Sequence, residues 1–351
     1  MTSLASSRVC VDDDPQRIFE YFDEKGYTDG LPIIPPTEAR VREMLTGTRR
    51  RPDESLGNMP PANYPATIEK IAVNAVMAGC KPEYMPVLIA AVELMLEPAW
   101  MLDALQSTTN PLTPMLIVNG PERQRIGLNS GTGVMGPGWR ANATIGRAIR
   151  LVLLNVGGAT PGNVDKCTQG FVGKYTLCIG ENEEESAWPP FHTTRGFKAE
   201  DSVVTVVGVN ASTNIHDSSD RCEDLIKTLT ASLVSPGTAN VADPHSTPVI
   251  ALNPLHVRIL AAAGYSRERL QQHIFERSRL PADGLSVRRA VLRKGEHGDA
   301  HFLVDNAIPF TNKPEQILIV TTGGMGGGQS CYLPNGHYGV AASKRIDAPL
   351  R

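Results

Sequence analysis

No CxxC or CxxH pair occurs among the six cysteines, which stand at 10, 80, 167, 178, 222 and 331. That spacing argues against a locally built zinc site and fits reduced thiols in a cytoplasmic protein. No apolar run reaches the ~20 residues of a membrane span, and no secretory core precedes Asp12-Asp13-Asp14. Charge of one sign is lacking too. The 34 basic and 37 acidic residues sum to −3, which speaks against the concentrated basic field of a nucleic-acid or membrane-surface binder. The run Arg49-Arg50-Arg51 before Pro52 reads as a solvated loop. The Gly-Lys-Ser/Thr of a Walker A loop, the GxGxxG fingerprint, the Gly-x-Ser-x-Gly elbow and HExxH are all absent.

What is present is an ordinary globular composition, 41% hydrophobic and 20% charged over 351 residues, long enough for two domains or one large α/β unit. After an N-terminal tail to residue 14, Asp14-Pro15 opens a helix and Thr37 caps a second, with a Pro-rich extended arm between them. Apolar positions at helical spacing from Ile68 to Val76 and from Pro82 to Leu96 predict a buried helical hairpin around Gly79. A second subunit packing on it would make a homo-oligomer.

Beyond it, strand-like runs at 115–121, 203–209, 248–252 and 317–322 alternate with helical segments near 140–155, 219–234, 254–263 and 266–279. The expectation is an α/β fold: a mostly parallel sheet with helices on both faces, plus the N-terminal helical hairpin. Three regions follow, 1–65, 66–200 with a Gly-rich anion loop, and 201–351 with a C-terminal Gly-rich loop, or one intertwined domain.

Five segments hold residues suited to chemistry. The first is the turn from Gly127 to Gly138, leading into a helix opened by Arg140. Asn129, Ser130, Gly131, Arg140 and Asn142 there suit a carboxylate or phosphate at a helix N-terminus; packing glycines are the plain alternative. In the second, the aperiodic stretch 160–201, Glu181 and His192 are candidate acid–base groups, and Lys174 and Arg195 candidate substrate ligands. A solvated acidic loop around Glu183, Glu184 and Glu185 is the competing reading. His216, beside Asp217 just past a strand, is a third candidate base or ligand.

The fourth segment runs from Gly323 to Cys331. Gly324 and Gly327 let a ligand approach backbone, and a helix starting near Ser330 would lower the pKa of Cys331. Fifth, Cys80 stands beside Lys81 at a helix start, with a buried spacer thiol as the alternative. Histidines at 192, 216, 245 and 297 show no ligand spacing, so no metal ligand is assigned.

Four segments resemble landmarks of an uncharacterised bacterial protein family across nearly the whole chain. They are Asp29-Gly30-Leu31-Pro32 with Pro35-Pro36-Thr37; Glu69 to Cys80; Gly136-Pro137-Gly138-Trp139-Arg140-Ala141-Asn142; and Glu181-Asn182-Glu183-Glu184-Glu185-Ser186. Some members neighbour a small selenocysteine- or cysteine-containing protein. The resemblance implies a thiol or redox theme and a small thiol partner, and supplies no catalytic residue or cofactor.

The residues together point to an enzyme acting on a small anionic metabolite, a lyase or hydrolase. It would use a thiol, Cys80 or Cys331, and/or acid–base groups from Glu181, His192 and His216. A partner-dependent, non-catalytic subunit of a thiol/redox system is the alternative. A metalloenzyme using His192, His216 and a carboxylate is the second.

Overall fold

Side-chain caps set most of the long helices. Asp14, Thr37, Thr67, Asn253 and Ser266 each accept the backbone N–H three residues on, satisfying a donor the helix leaves orphaned. The computed structural model describes residues 4–242, 246–284, 307–336 and 338–347; His245 and His297 lie outside them. The helices are α1 (Pro15–Glu24), α2 (Glu38–Leu45), α3 (Ile68–Ala78), α4 (Met85–Met95), α5 (Leu102–Ser107), α6 (Pro121–Arg125), α7 (Arg140–Asn155), α8 (Cys222–Ser232), α9 (Ala239–Ala242), α10 (Pro254–Ala262) and α11 (Arg267–Arg277).

Strands β1 (Ser55–Met59) and β2 (Tyr64–Thr67) form a small antiparallel ribbon. Two four-stranded sheets carry the fold. One has the order β12 (Ala342–Arg345), β5 (Val203–Val209), β3 (Thr113–Asn119), β4 (Cys178–Gly180). The other has β10 (Leu318–Thr321), β7 (Val249–Leu252), β11 (Gln329–Leu333), β6 (Thr213–His216). A ribbon of β8 (Arg279–Pro281) and β9 (Ala307–Pro309) completes the described strands.

Period-two alternation shows how the layers stack. In β3, Leu116 and Val118 join a core with α3, α4 and α7, whereas Met115 and Ile117 join a core shared with the other sheet. In β7, Val249 and Ala251 enter that shared core while Ile250 and Leu252 face α8, α10 and α11. Leu318 and Val320 of β10 divide from Ile319 in the same way. The chain is a four-layer stack of helices, sheet, sheet and helices.

This corrects the expectation of a mostly parallel sheet. Both sheets are mixed: β3 runs parallel to β4 and β7 to β10, while the pairings β3–β5, β5–β12, β7–β11 and β6–β11 are antiparallel. The uninterrupted apolar runs report burial on both faces, which sandwiching two sheets between helices produces whatever the strand direction. The helical hairpin is corrected as well. Residues 68–95 do form α3 and α4, but α3 packs most closely along α7 and α2, and α4 lies against β5 and β12. Because α4 is apolar on nearly every side, it is buried by several elements rather than by one partner helix.

Among the described residues, no single helix is long and apolar enough to cross a membrane. The pair Pro82–Met95 and Pro98–Ser107 passes that test only jointly and is bent by 78°.

One close approach can be tested. Gly146 lies inside α7, where alanine normally favours the helix by about 1 kcal/mol. A Cβ there would lie 2.5 Å from the Leu177 backbone nitrogen. Gly146→Ala is therefore expected to destabilise the protein by about 1–3 kcal/mol in denaturant unfolding; a more stable variant would refute the packing of α7 on the 176–178 segment.

Candidate functional site

Three of the segments marked in the sequence meet at the seam between the sheets. Thr322 Oγ1 donates to the carbonyls of Gly180 (2.9 Å) and Ser130 (3.2 Å), and Gly323 N to that of Ser130 (2.8 Å). Asn182 Nδ2 reaches the Gly323 carbonyl at 3.1 Å. Gly324 has to be glycine, because a Cβ would collide with Thr132. Gly327 is at the exposed tip of its loop.

The Gly-rich turn spends its polar groups on itself. Asn142 accepts from Asn129 N and donates to the carbonyls of Asn129 and Cys178; Asn129 binds Gly131 N and the Thr132 carbonyl. Arg140 Nε donates to the Gly79 carbonyl. These contacts anchor the start of α7, so the packing reading fits this turn better than the anion reading.

The seam's centre is Glu181, fully enclosed. Oε1 accepts from Arg267 of α11 (3.0 Å) and Thr321 N of β10 (3.4 Å); Oε2 accepts from Phe191 N (2.5 Å) and Asn119 Nδ2. Burial pushes this carboxyl up to about 7, against the pull of the Arg267 guanidinium. Glu183 accepts from Gly120 N (2.7 Å) and Asn119 Nδ2 (3.0 Å), with Arg123 at 3.4 Å. His192 is also enclosed; its Nε2 is 2.8 Å from the Lys198 carbonyl. The acidic run is thus a braced turn rather than a solvated loop. Arg195 is on the surface, donating to the Ala341 carbonyl and Ser343.

The grounds for activated thiols do not hold. Cys80 is buried, its Sγ 3.2 Å from the Thr144 carbonyl, and burial raises it to about 12. Cys331 lies within β11, with no helix beginning at Ser330, and burial raises it to about 11. His216 is exposed on β6 beside Ser218, apart from the Glu181 cluster. A buried imidazole that sequence reasoning missed, His256, bonds Ser330 Oγ (2.7 Å) and the Asp217 carbonyl (2.8 Å).

A cavity with charged lining lies at the other end of β3. It measures about 640 Å³ and is lined by Asp29, Arg150, Asp165, Cys167, Lys174 and Tyr175 among others. Lys174 Nζ bonds Asp165 Oδ2 at 2.5 Å, and Asp29 is held by Arg147 at 2.8 Å. Half-buried Arg150 donates to the Lys174 carbonyl (2.8 Å) and Thr113 Oγ1 (3.3 Å), yet no carboxylate among the described residues lies within 4.0 Å of it. Burial pulls its pKa below the ordinary arginine value. Sequence reading found Lys174 but not Arg150, whose one available signal was a cation inside the apolar run Ile149–Leu154. A larger cavity of about 720 Å³ lies under residues 4–13. Apolar side chains such as Ile18, Phe22, Val41 and Met77 line it, and its buried acid, Glu69, is already bound by the amides of Ala5 and Ser6.

No family model, curated protein or solved structure matches the chain.

Two outcomes follow. At pH 8 a thiol with a pKa near 12 is about one part in ten thousand thiolate, so iodoacetamide should label exposed Cys10 and spare Cys80; peptide mass mapping that finds Cys80 labelled first in the folded protein would overturn this. Glu181's folded pKa is raised, so its contribution to stability is complete below about 4.5 and is lost as pH rises through about 7. Unfolding free energy should therefore fall from pH 5 to pH 8, and Glu181→Gln should flatten that fall; an equal slope in the variant would rule Glu181 out as the source.

Proposed function

We propose that the chain is an enzyme acting on a small anionic metabolite bound in the cavity at the Thr113 end of β3. One observation carries this reading: the Arg150 guanidinium lines a cavity of about 640 Å³ with no carboxylate among the described residues at ion-pair distance. An arginine stays charged when desolvated, and a partly desolvated cation gains most from an anion that replaces its lost water. A carboxylate or phosphate on the guest provides that partner.

The rest of the lining supplies chemistry. Asp165 and Lys174, 2.5 Å apart, can exchange a proton with a guest. That suits a lyase or hydrolase step, in which a proton leaves a carbon or water and another reaches the leaving group. The thiol among the lining residues is Cys167, so thiol chemistry moves there from Cys80 and Cys331. The segment Asp29-Gly30, part of the resemblance to an uncharacterised bacterial family, also lines this cavity.

The test is thermal unfolding against a panel of small mono- and dicarboxylates and phosphate esters. At least one is expected to raise the Tm of the unmodified chain. Arg150→Met should lose that response, with affinity down on the order of 100-fold, as for a lost charge-assisted contact. Lys174→Met should abolish turnover of the ligand so found while leaving most of its binding. A chain that no anion stabilises, or an Arg150→Met variant that responds equally, would refute the reading.

A further inference from the structure

At the far end of β3, about 20 Å from Thr113 by strand rise, Glu181, Glu183 and His192 each bring one ligand atom within 4.8 Å of the others. Acidic groups gathered at a turn carry no meaning alone. This cluster is set apart by two buried acceptors that no donor among the described residues reaches, His192 Nδ1 and Asn119 Oδ1. Both residues are fully enclosed.

The imidazole geometry is informative. The Lys198 carbonyl can only accept, so His192 Nε2 carries the proton, and a neutral ring leaves a bare lone pair on Nδ1. Metal-bound histidines are held in this way, one ring nitrogen donating to a carbonyl and the other facing the ion.

The carboxylates are arranged to match. Arg267 sits on Oε1 of Glu181 and Arg123 on Oε2 of Glu183. The other oxygens, Glu181 Oε2 and Glu183 Oε1, share one donor, Asn119 Nδ2. An amide hydrogen-bonding group therefore occupies the point between two carboxylate oxygens where a cation would be most stable. Turning the Asn119 amide end for end withdraws Nδ2 from that point and presents Oδ1 to it.

We infer that this cluster is a divalent-cation site, with Glu181, Glu183 and His192 Nδ1 as ligands and Asn119 Oδ1 completing four. One nitrogen with carboxylate and amide oxygens suits zinc, manganese or iron(II) better than the all-oxygen shells of calcium or magnesium. Charge allows it: among the described residues Glu181, Glu183 and Glu184 pair with Arg123 and Arg267 alone. With four protein ligands, three of them on fully enclosed residues, the ion is structural. It clamps the end of β3 to the 181–185 turn and the 191–195 segment. This goes beyond the proposed enzyme activity and does not depend on it.

The test uses the full chain, stripped with a chelator and titrated with Zn²⁺ or Mn²⁺ alone by calorimetry, with thermal unfolding alongside. One ion per chain and a raised Tm are expected. His192→Ala and Glu183→Gln should each weaken binding on the order of 100-fold. Glu183 is partly solvent-exposed, so if His192→Ala does not fold by circular dichroism, Glu183→Gln decides. Failure of either ion to bind stoichiometrically, or a folded variant that binds as the unmodified chain does, overturns the site. Arg150→Met should bind the ion normally, which separates this outcome from failure of the anion cavity.

Discussion

The fold turns on one buried ion pair. Glu181, at the end of β4 in one sheet, meets Arg267, at the start of α11 behind the other, with side chains 0% and 2% exposed. Neither charge reaches water, so each depends on the other for its stability. Removing one member of such a pair typically costs about 3–5 kcal/mol, because the remaining charge stays buried alone. Glu181 also draws in Asn119, the Phe191 amide and the Thr321 amide. One carboxylate thereby fixes the ends of β3, β4 and β10 and the approach of α11. A hydrophobic core shared by two sheets is non-directional and tolerates sliding; four convergent hydrogen bonds do not. The apolar layers supply most of the driving force, and the buried pair sets how the layers register.

That division of labour explains what the sequence revealed. Helix starts were legible because caps act locally: Asp14, Thr37 and Ser266 satisfy amides three residues away. The long strands were legible because burial on both faces demands uninterrupted apolar runs, as in Val203–Val209. Strand direction was not, because an apolar residue packs equally well in either ladder. The run Val249–Leu252 carries no mark that it pairs parallel to β10 on one side and antiparallel to β11 on the other. Its connections decide that, and they are long.

The site was half legible for a related reason. Polar density without periodicity marked 160–201, and Lys174, Glu181 and His192 are all held by specific bonds there. What no local pattern could show is that Lys174 and Glu181, seven residues apart, belong to different places. Between them β4 runs extended beside Leu116–Val118 of β3, so Lys174 falls near the Thr113 end of that strand and Glu181 near its Asn119 end. Their partners, Arg150 and Arg267, come from helices far along the chain. The thiol expectations failed on a different point. Cys331 lies on a strand with no helix end beside it, and for both Cys80 and Cys331 desolvation outweighs every stabilising contact.

The two ends of β3 therefore carry opposite electrostatic problems. At the Thr113 end a guanidinium lining a cavity has no carboxylate among the described residues at ion-pair distance. At the Asn119 end, among the described residues, carboxylates outnumber the guanidiniums beside them, and two fully buried acceptors lack donors. A polypeptide can leave the first kind of imbalance standing, because solvent or a ligand relieves it reversibly. The second kind is relieved by a proton or a cation held between the layers. The cavity end is where the proposed guest would exchange with the surroundings, and the Glu181 end is where the layers are tied together; the strand between them, buried along its whole length, keeps the two apart.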